Sequence, residues 1–217
     1  MQTILNFLTD LKNNNNREWF ADNKLRYEEA KNKFFDLTDF LILKIKEFDK
    51  SVDVNSAKEC AFRIYKDVRF SKDKTPYKTN MGAYIAKGGK KSPFAGYYIH
   101  IEPNASFAGG GIYCPQPAVL KAVRTEIAED ATELYSILKN KSFHTVFPEL
   151  YGDKVKTAPR GFDKNHPNIG LLRFKSYTVI HKFSDNDLTK PDFAEKIIST
   201  FKIQKPFNDY LNTCFSE

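Results

Sequence analysis

The sequence predicts an α+β fold, with a mainly antiparallel sheet packed against N-terminal, central and C-terminal helices. Three observations predict it. Apolar residues recur every three or four positions near both ends and in the middle of the chain. Four short runs rich in aromatic and β-branched residues lie between Ala61 and Tyr113. Their links are short, which implies antiparallel pairing. No repeat or linker divides the 217 residues, so they read as one domain spanning 1–217.

The first helix is expected over residues 3–12, where Ile4, Leu8 and Leu11 share a face. Asn13 to Asn16 make a polar break, because asparagine favours turns and adds no core. A longer helix follows from Asn23 to Phe48, carrying Tyr27, Ala30, Phe34, Leu37, Leu41, Ile45 and Phe48 on one stripe. Trp19 and Phe20 anchor its start. The strands are expected at Ala61–Tyr65, Met81–Ala86, Tyr97–Glu102 and Ser106–Tyr113, with Pro103-Asn104 turning between the last two. Pro117 opens a helix bearing Val119, Leu120, Val123 and Ile127, and another runs from Ala131 to Leu138. Residues 148–170 form a loop dense in Pro, Gly and Asn. A further strand spans Tyr177–Phe183, and two closing helices occupy Phe193–Phe215, separated near Pro206.

The core is aromatic, with 19 Phe and 11 Tyr against 2 Met. A chain of this length buries enough surface to need neither disulfide nor structural metal. Cys60, Cys114 and Cys214 are odd in number and lack zinc or redox spacing, so they read as reduced thiols of a cytoplasmic protein. The N-terminus has no signal-peptide pattern, and the longest apolar run, Phe40-Leu-Ile-Leu, ends at Lys44. No membrane partner is expected.

The charge is unevenly placed. Residues 58–91 carry ten Lys/Arg against three acids, a net +7, while the rest of the chain balances at 24 of each sign. A concentrated excess points to a local site for anions rather than to general solubility. If the start of this segment is extended, Phe62, Ile64, Val68 and Phe70 face one way, with Lys66 the exception. Arg63, Tyr65, Asp67 and Arg69 face the other. Arginine offers a planar fork that fits phosphate or carboxylate. Ser71 to Thr79 reads as a loop that adds hydroxyls and the ammonium groups of Lys72, Lys74 and Lys78, a donor mixture suited to phosphate. The expected anion-binding set is Arg63, Lys66, Arg69, Lys72, Lys74, Tyr77, Lys78 and Arg160. A competing reading has Asp67 bridging Arg63 and Arg69, and Asp73 pairing with Lys72 or Lys74, leaving the lysines as solvated surface.

The run Arg63-x-x-Lys66-Asp67-x-Arg69-Phe70-x-x-x-Asp73-Lys74-x-x-Tyr77 resembles the signature of a bacterial family, number 2461 among domains of unknown function. Lys66 stands where that signature has arginine, which keeps the charge and loses the fork. Tyr98-x-His100-x-Glu102-Pro103, Gly109-Gly-Gly111 and Pro159-Arg-Gly-Phe-Asp163 with His166-Pro167 are also similar to the family. The resemblance implies bacterial origin and a shared architecture, and no activity.

Other residues offer chemistry. His100 and Glu102, two apart on a strand, share a face with Tyr98, while Tyr97, Ile99 and Ile101 turn to the core. With Asp67, they are the candidates for proton transfer. Two of them at this spacing do not make a metal site, and no metal is expected. The glycines at 109–111 allow a ligand to approach the backbone, and equally mark a bulged or kinked strand. Arg160, Asp163 and His166 sit in the long loop, either as a cover for a site or as turn-forming groups. No phosphate loop, nucleophile elbow, zincin or RNA-binding motif is present, and no cofactor is implied.

Three functions follow from these features. The first is binding of an anionic, phosphate-bearing small molecule or nucleic acid through residues 58–91, with Tyr65, Phe70, Tyr77 and Tyr84 available to stack on bases. The second is an enzyme acting on a phosphorylated or otherwise anionic substrate. The third is a structural or partner-interaction protein whose charge sets only solubility.

Overall fold

The computed structural model describes residues 1–69 and 71–215. Phe70, expected on the apolar face of the basic segment and among its stacking rings, lies outside the described residues.

The chain opens with helices α1 (Gln2–Asn13), α2 (Arg17–Asp22) and α3 (Lys24–Phe48). α1 buries Ile4, Leu5, Phe7, Leu8 and Leu11. The asparagine break does more than turn the chain: the Asn16 side chain accepts from Trp19 N–H at 2.9 Å and caps α2. Trp19 and Phe20 therefore lie within a short helix ahead of α3. α3 buries Tyr27, Ala30, Phe34, Leu41 and Ile45, as the stripe predicts, and leaves Leu37 and Phe48 half-buried.

Four strands, β1 (Met81–Ile85), β2 (Gly96–Ile101), β3 (Phe107–Ile112) and β4 (Tyr177–Lys182), form one antiparallel sheet in the order β1-β2-β3-β4. The strand expected at Ala61–Tyr65 is absent. A one-turn helix α4 (Ala57–Cys60) precedes that segment, and its chain meets the sheet edge only at the Ala61–Ala83 bridge. Beyond Phe62, whose N–H donates to Gly82 O, the chain turns away and pairs with its own continuation at Tyr65–Tyr77. Asn104 takes a left-handed φ of 64° in the β2–β3 turn, which asparagine tolerates.

Helices α5 (Pro117–Glu129) and α6 (Thr132–Lys139) match expectation. α7 (Lys141–Val146) was hidden by its shortness, although Asn140 caps it at Phe143 N–H. Residues 148–170 are irregular up to α8 (Ile169–Leu172), with single bridges at Tyr151–Thr178 and Lys154–Phe174. After α9 (Asp185–Leu188), a continuous helix α10 (Phe193–Thr213) replaces the two expected closing helices. Pro206 removes one helical donor, at a cost of about 3 kcal/mol. Burial of Phe201 before it and of Phe207, Tyr210 and Leu211 after it offsets that cost and holds the helix together.

α10 crosses one face of the sheet and joins two buried clusters. Phe7, Leu41, Ile45, Tyr97 and Phe201 belong to the first. Val123, Ile127, Phe147, Tyr177 and Phe207 belong to the second. On β2 the expected alternation holds, with Tyr97, Ile99 and Ile101 fully buried. No helix among the described residues is long and apolar enough to cross a membrane.

Candidate functional site

The signature segment closes into a hairpin-like loop. Lys66 N–H donates to Pro76 O at 2.9 Å and Lys78 N–H to Ile64 O at 2.8 Å. At its base Tyr77 is buried and stacks on Phe20, with 3.9 Å between ring centroids and 13° between planes.

Within the loop the charges are mostly spent on one another. Arg69 forks onto Asp67, with Nε and Nη2 at 3.0 and 2.8 Å from its two oxygens. That pairing holds the Asp67 carboxyl down to about 2. Asp67 thus takes Arg69 alone by hydrogen bonding, and Arg63 acts on it only through charge. Asp73 pairs with Lys66 rather than with Lys72 or Lys74, and it also accepts from the Thr75 hydroxyl at 2.8 Å. The Lys66 ammonium and the Thr75 donors hold the Asp73 carboxyl well below the usual range. Lys74 Nζ donates to Val68 O at 3.0 Å, and Lys72 is exposed.

A different cationic group lines an open groove of about 260 Å³ between α3, α4 and the start of β1. Lys31, Lys58, Arg63 and Lys90 border it, with Phe34, Phe35, Phe62 and Asn80, and among the described residues no carboxylate lines its wall. Lys31 is partly neutralised by Glu28 at 2.7 Å, and Lys90 donates to the carbonyls of Lys58 and Ala61. Among the described residues, the side chains of Lys58 and Arg63 make no hydrogen bond or ion pair. Beside the groove, the Lys78 ammonium sits 5.6 Å from the Phe62 ring centroid. Burial, and then the charge of Arg63, push the Lys78 pKa down. Like charges thus crowd this edge.

The polar face of β2 adds a hydrogen-bonded chain. Glu102 Oε1 accepts from Thr79 Oγ1 at 2.7 Å, and its Oε2 lies 3.1 Å from His100 Nε2. His100 Nδ1 lies 3.1 Å from the Tyr98 hydroxyl and 3.4 Å from Asn80 Nδ2. Phe107 stacks on the imidazole, with 4.7 Å between centroids and 13° between planes. Burial depresses the His100 pKa against the opposing pull of Glu102, and burial pushes the Tyr98 phenol up to about 12. Asn80 therefore belongs both to this chain and to the groove wall.

Of the residues expected to bind anions, only Arg63 lines the groove, and Lys78 stands at its edge. Lys66, Arg69, Lys72 and Lys74 belong to the loop beyond it. Arg160 is exposed in a different loop, tied to α5 by His166 Nε2 at 3.2 Å from Ala128 O and by Asn168 Nδ2 donating to Ile127 O. There Asp163 accepts from Asn165 N–H, the turn-forming arrangement.

The glycines of β3 serve the sheet and α10. A Cβ at Gly110 would lie 2.0 Å from Gly96 O and 2.5 Å from Gln204 Nε2, and its φ is +151°. The expected anion-binding set omits Lys58 and Lys90, although the basic segment 58–91 contains both, and sequence reasoning missed Lys31 altogether. For Lys31 a signal existed, since Tyr27, Lys31 and Phe35 follow at steps of four on α3, and the ammonium lies within 6 Å of both rings. A second depression of about 390 Å³, lined by Ser136, Asn140, Ser142, Lys202 and Pro206, holds one cation and none of the basic segment. Among the described residues, no group of three or more His, Cys, Asp or Glu side chains is placed to hold a metal ion.

No curated protein and no solved structure gives a significant match to the chain. The family described as "Conserved hypothetical protein (DUF2461)" matches residues 3–210, nearly the whole of the fold just described, and the chain belongs to that family.

Proposed function

We propose that the protein binds a phosphate-bearing small molecule in the groove between α3 and the segment beginning at Lys58. The observation that carries this is the set Lys58, Arg63 and Lys90 on one groove whose wall, among the described residues, has no carboxylate. Arg63 supplies the fork for two phosphate oxygens, and the lysines supply point charges. The half-exposed Phe62 ring offers an apolar surface for the rest of the ligand. The pocket's small volume favours a compact ligand over a long polyanion. A long polyanion would track an extended basic surface, and here Lys66 and Arg69 are already paired with acids.

The test is isothermal titration calorimetry with inorganic pyrophosphate, ATP and a single-stranded RNA at low ionic strength. Pyrophosphate and ATP are expected to bind, and Arg63→Ala to weaken both. Tighter binding of RNA than of either small molecule would transfer the site to nucleic acid. Absence of heat and of any thermal shift with all three would overturn the reading and leave the charge as a solubility feature.

A further inference from the structure

We infer that Tyr98, His100 and Glu102 form a proton relay that hydrolyses a phosphate ester held in the adjacent groove. The inference rests on the anion-binding reading of that groove.

The order carboxylate, imidazole, hydroxyl is that of a nucleophile-activating triad, with a phenol at the outer end. Glu102 is the positioning residue. Its Oε1 is fixed by Thr79 at 2.7 Å, which leaves Oε2 to accept the Nε2–H of His100 at 3.1 Å. That assigns the ring proton to Nε2 and directs the Nδ1 lone pair toward the Tyr98 hydroxyl at 3.1 Å. The Phe107 ring, stacked on the imidazole, fixes its plane. Gly82 gives the phenol its room, since a Cβ there would lie 2.3 Å from the Tyr98 oxygen. All of these constraints converge on one proton path.

Two contacts join this hydrogen-bonded chain to residues of the groove wall. Asn80 lines the groove and lies 3.4 Å from His100 Nδ1, and the Phe62 ring of the groove wall is 6.4 Å from the Tyr98 ring. Burial keeps His100 neutral, so it can accept a proton. The Tyr98 phenol is too weak an acid to stand ionised, so it passes protons rather than attacking phosphorus itself.

In the step, a water oxygen forms the new bond to phosphorus. Its proton moves to the Tyr98 oxygen as the Tyr98 proton moves to His100 Nδ1, giving an imidazolium beside Glu102. The bond from phosphorus to the ester oxygen breaks, and the same proton returns through Tyr98 to the leaving oxygen. One water is consumed, an alcohol and a phosphate are released, and the relay regains its starting form. The groove cations offset the charge that gathers on the phosphoryl oxygens.

The test uses the full chain with p-nitrophenyl phosphate and bis(p-nitrophenyl) phosphate, reading nitrophenol release, beside pyrophosphate affinity by calorimetry. The wild type is expected to turn over at least one ester. Tyr98→Phe and His100→Gln should each lower kcat by ~100-fold and leave pyrophosphate affinity unchanged. Nitrogen NMR of the unmodified protein should show His100 protonated at Nε2, a readout that does not depend on any variant folding. Pyrophosphate binding without turnover of either ester would overturn the relay and leave the binding site standing. Full activity in Tyr98→Phe, or a proton on Nδ1 of neutral His100, would also overturn it. Failure of pyrophosphate to bind would remove the groove reading, and the relay with it.

Discussion

The side-chain amide of Asn15 pairs with both backbone polar groups of Tyr77, donating to its carbonyl at 2.9 Å and accepting from its N–H at 3.1 Å. A residue of the polar break after α1 thus completes an edge 62 positions away. It fixes the base of the signature loop where Tyr77 stacks on Phe20. Asn15→Ala should destabilise the fold by about 1–3 kcal/mol, because it strips two partly buried backbone groups of their partners. Tyr77→Ala should cost about 3–5 kcal/mol through the cavity it opens. Urea unfolding measures both, and an Asn15→Ala midpoint equal to wild type would refute the clamp.

Two arginines six positions apart in the signature should behave differently. Arg63 lines the groove, whereas the Arg69 guanidinium is engaged by Asp67. Arg63→Ala should weaken pyrophosphate binding by about tenfold, the loss of a charge-assisted contact worth about 1.5–3 kcal/mol. Arg69→Ala should change it by less than about twofold, since exposed ion pairs contribute little. Calorimetry on the two variants decides, and a reversed order would move the site out to the loop.

The buried His100 should shape stability near neutral pH. Burial lowers its pKa in the fold, with Glu102 opposing, so the unfolded chain binds more protons just below the ordinary histidine value of about 6.5. Stability should therefore fall as pH drops through 6.5 and level off below the folded pKa. His100→Gln should flatten this limb. The Asp67 and Asp73 pairings act in a separate, far more acidic window, where their contribution is lost as the carboxylates protonate. Thermal unfolding between neutral and mildly acid pH checks the sign, and a midpoint that rises on acidification would contradict it.

Gly110→Ala should be severely destabilising, by more than about 2 kcal/mol. The new methyl would collide with Gly96 O and Gln204 Nε2 at a φ that L residues rarely adopt. Soluble expression and denaturant unfolding would reveal it, and near-wild-type stability would show that β3 can shift away from α10.

Most elements were legible where packing repeats along the sequence. The stripe from Tyr27 to Ile45 and the alternation from Tyr97 to Ile101 each announce one buried face. What could not be read was the choice between equivalent partners. The run Ala61–Tyr65 has strand composition, yet whether it joins β1 or pairs with Tyr77 depends on Asn15 and Phe20, far off in sequence. Local signals at Pro206 favoured a break, and burial on both sides of it overruled them. The candidate site divided in the same way. Charge density located the segment 58–91, but the pairings of Asp67 and Asp73 decided which cations remained for a ligand. Lys31, supplied by α3, lay outside that segment altogether.

The course of α10 also bears on how the molecule comes apart. Its Phe201 is fixed in one buried cluster and its Phe207 in the other, less than two turns away. Neither cluster can melt without loosening the helix that the other depends on. Heat should therefore produce a single cooperative transition, in which secondary structure and aromatic packing are lost together rather than in stages.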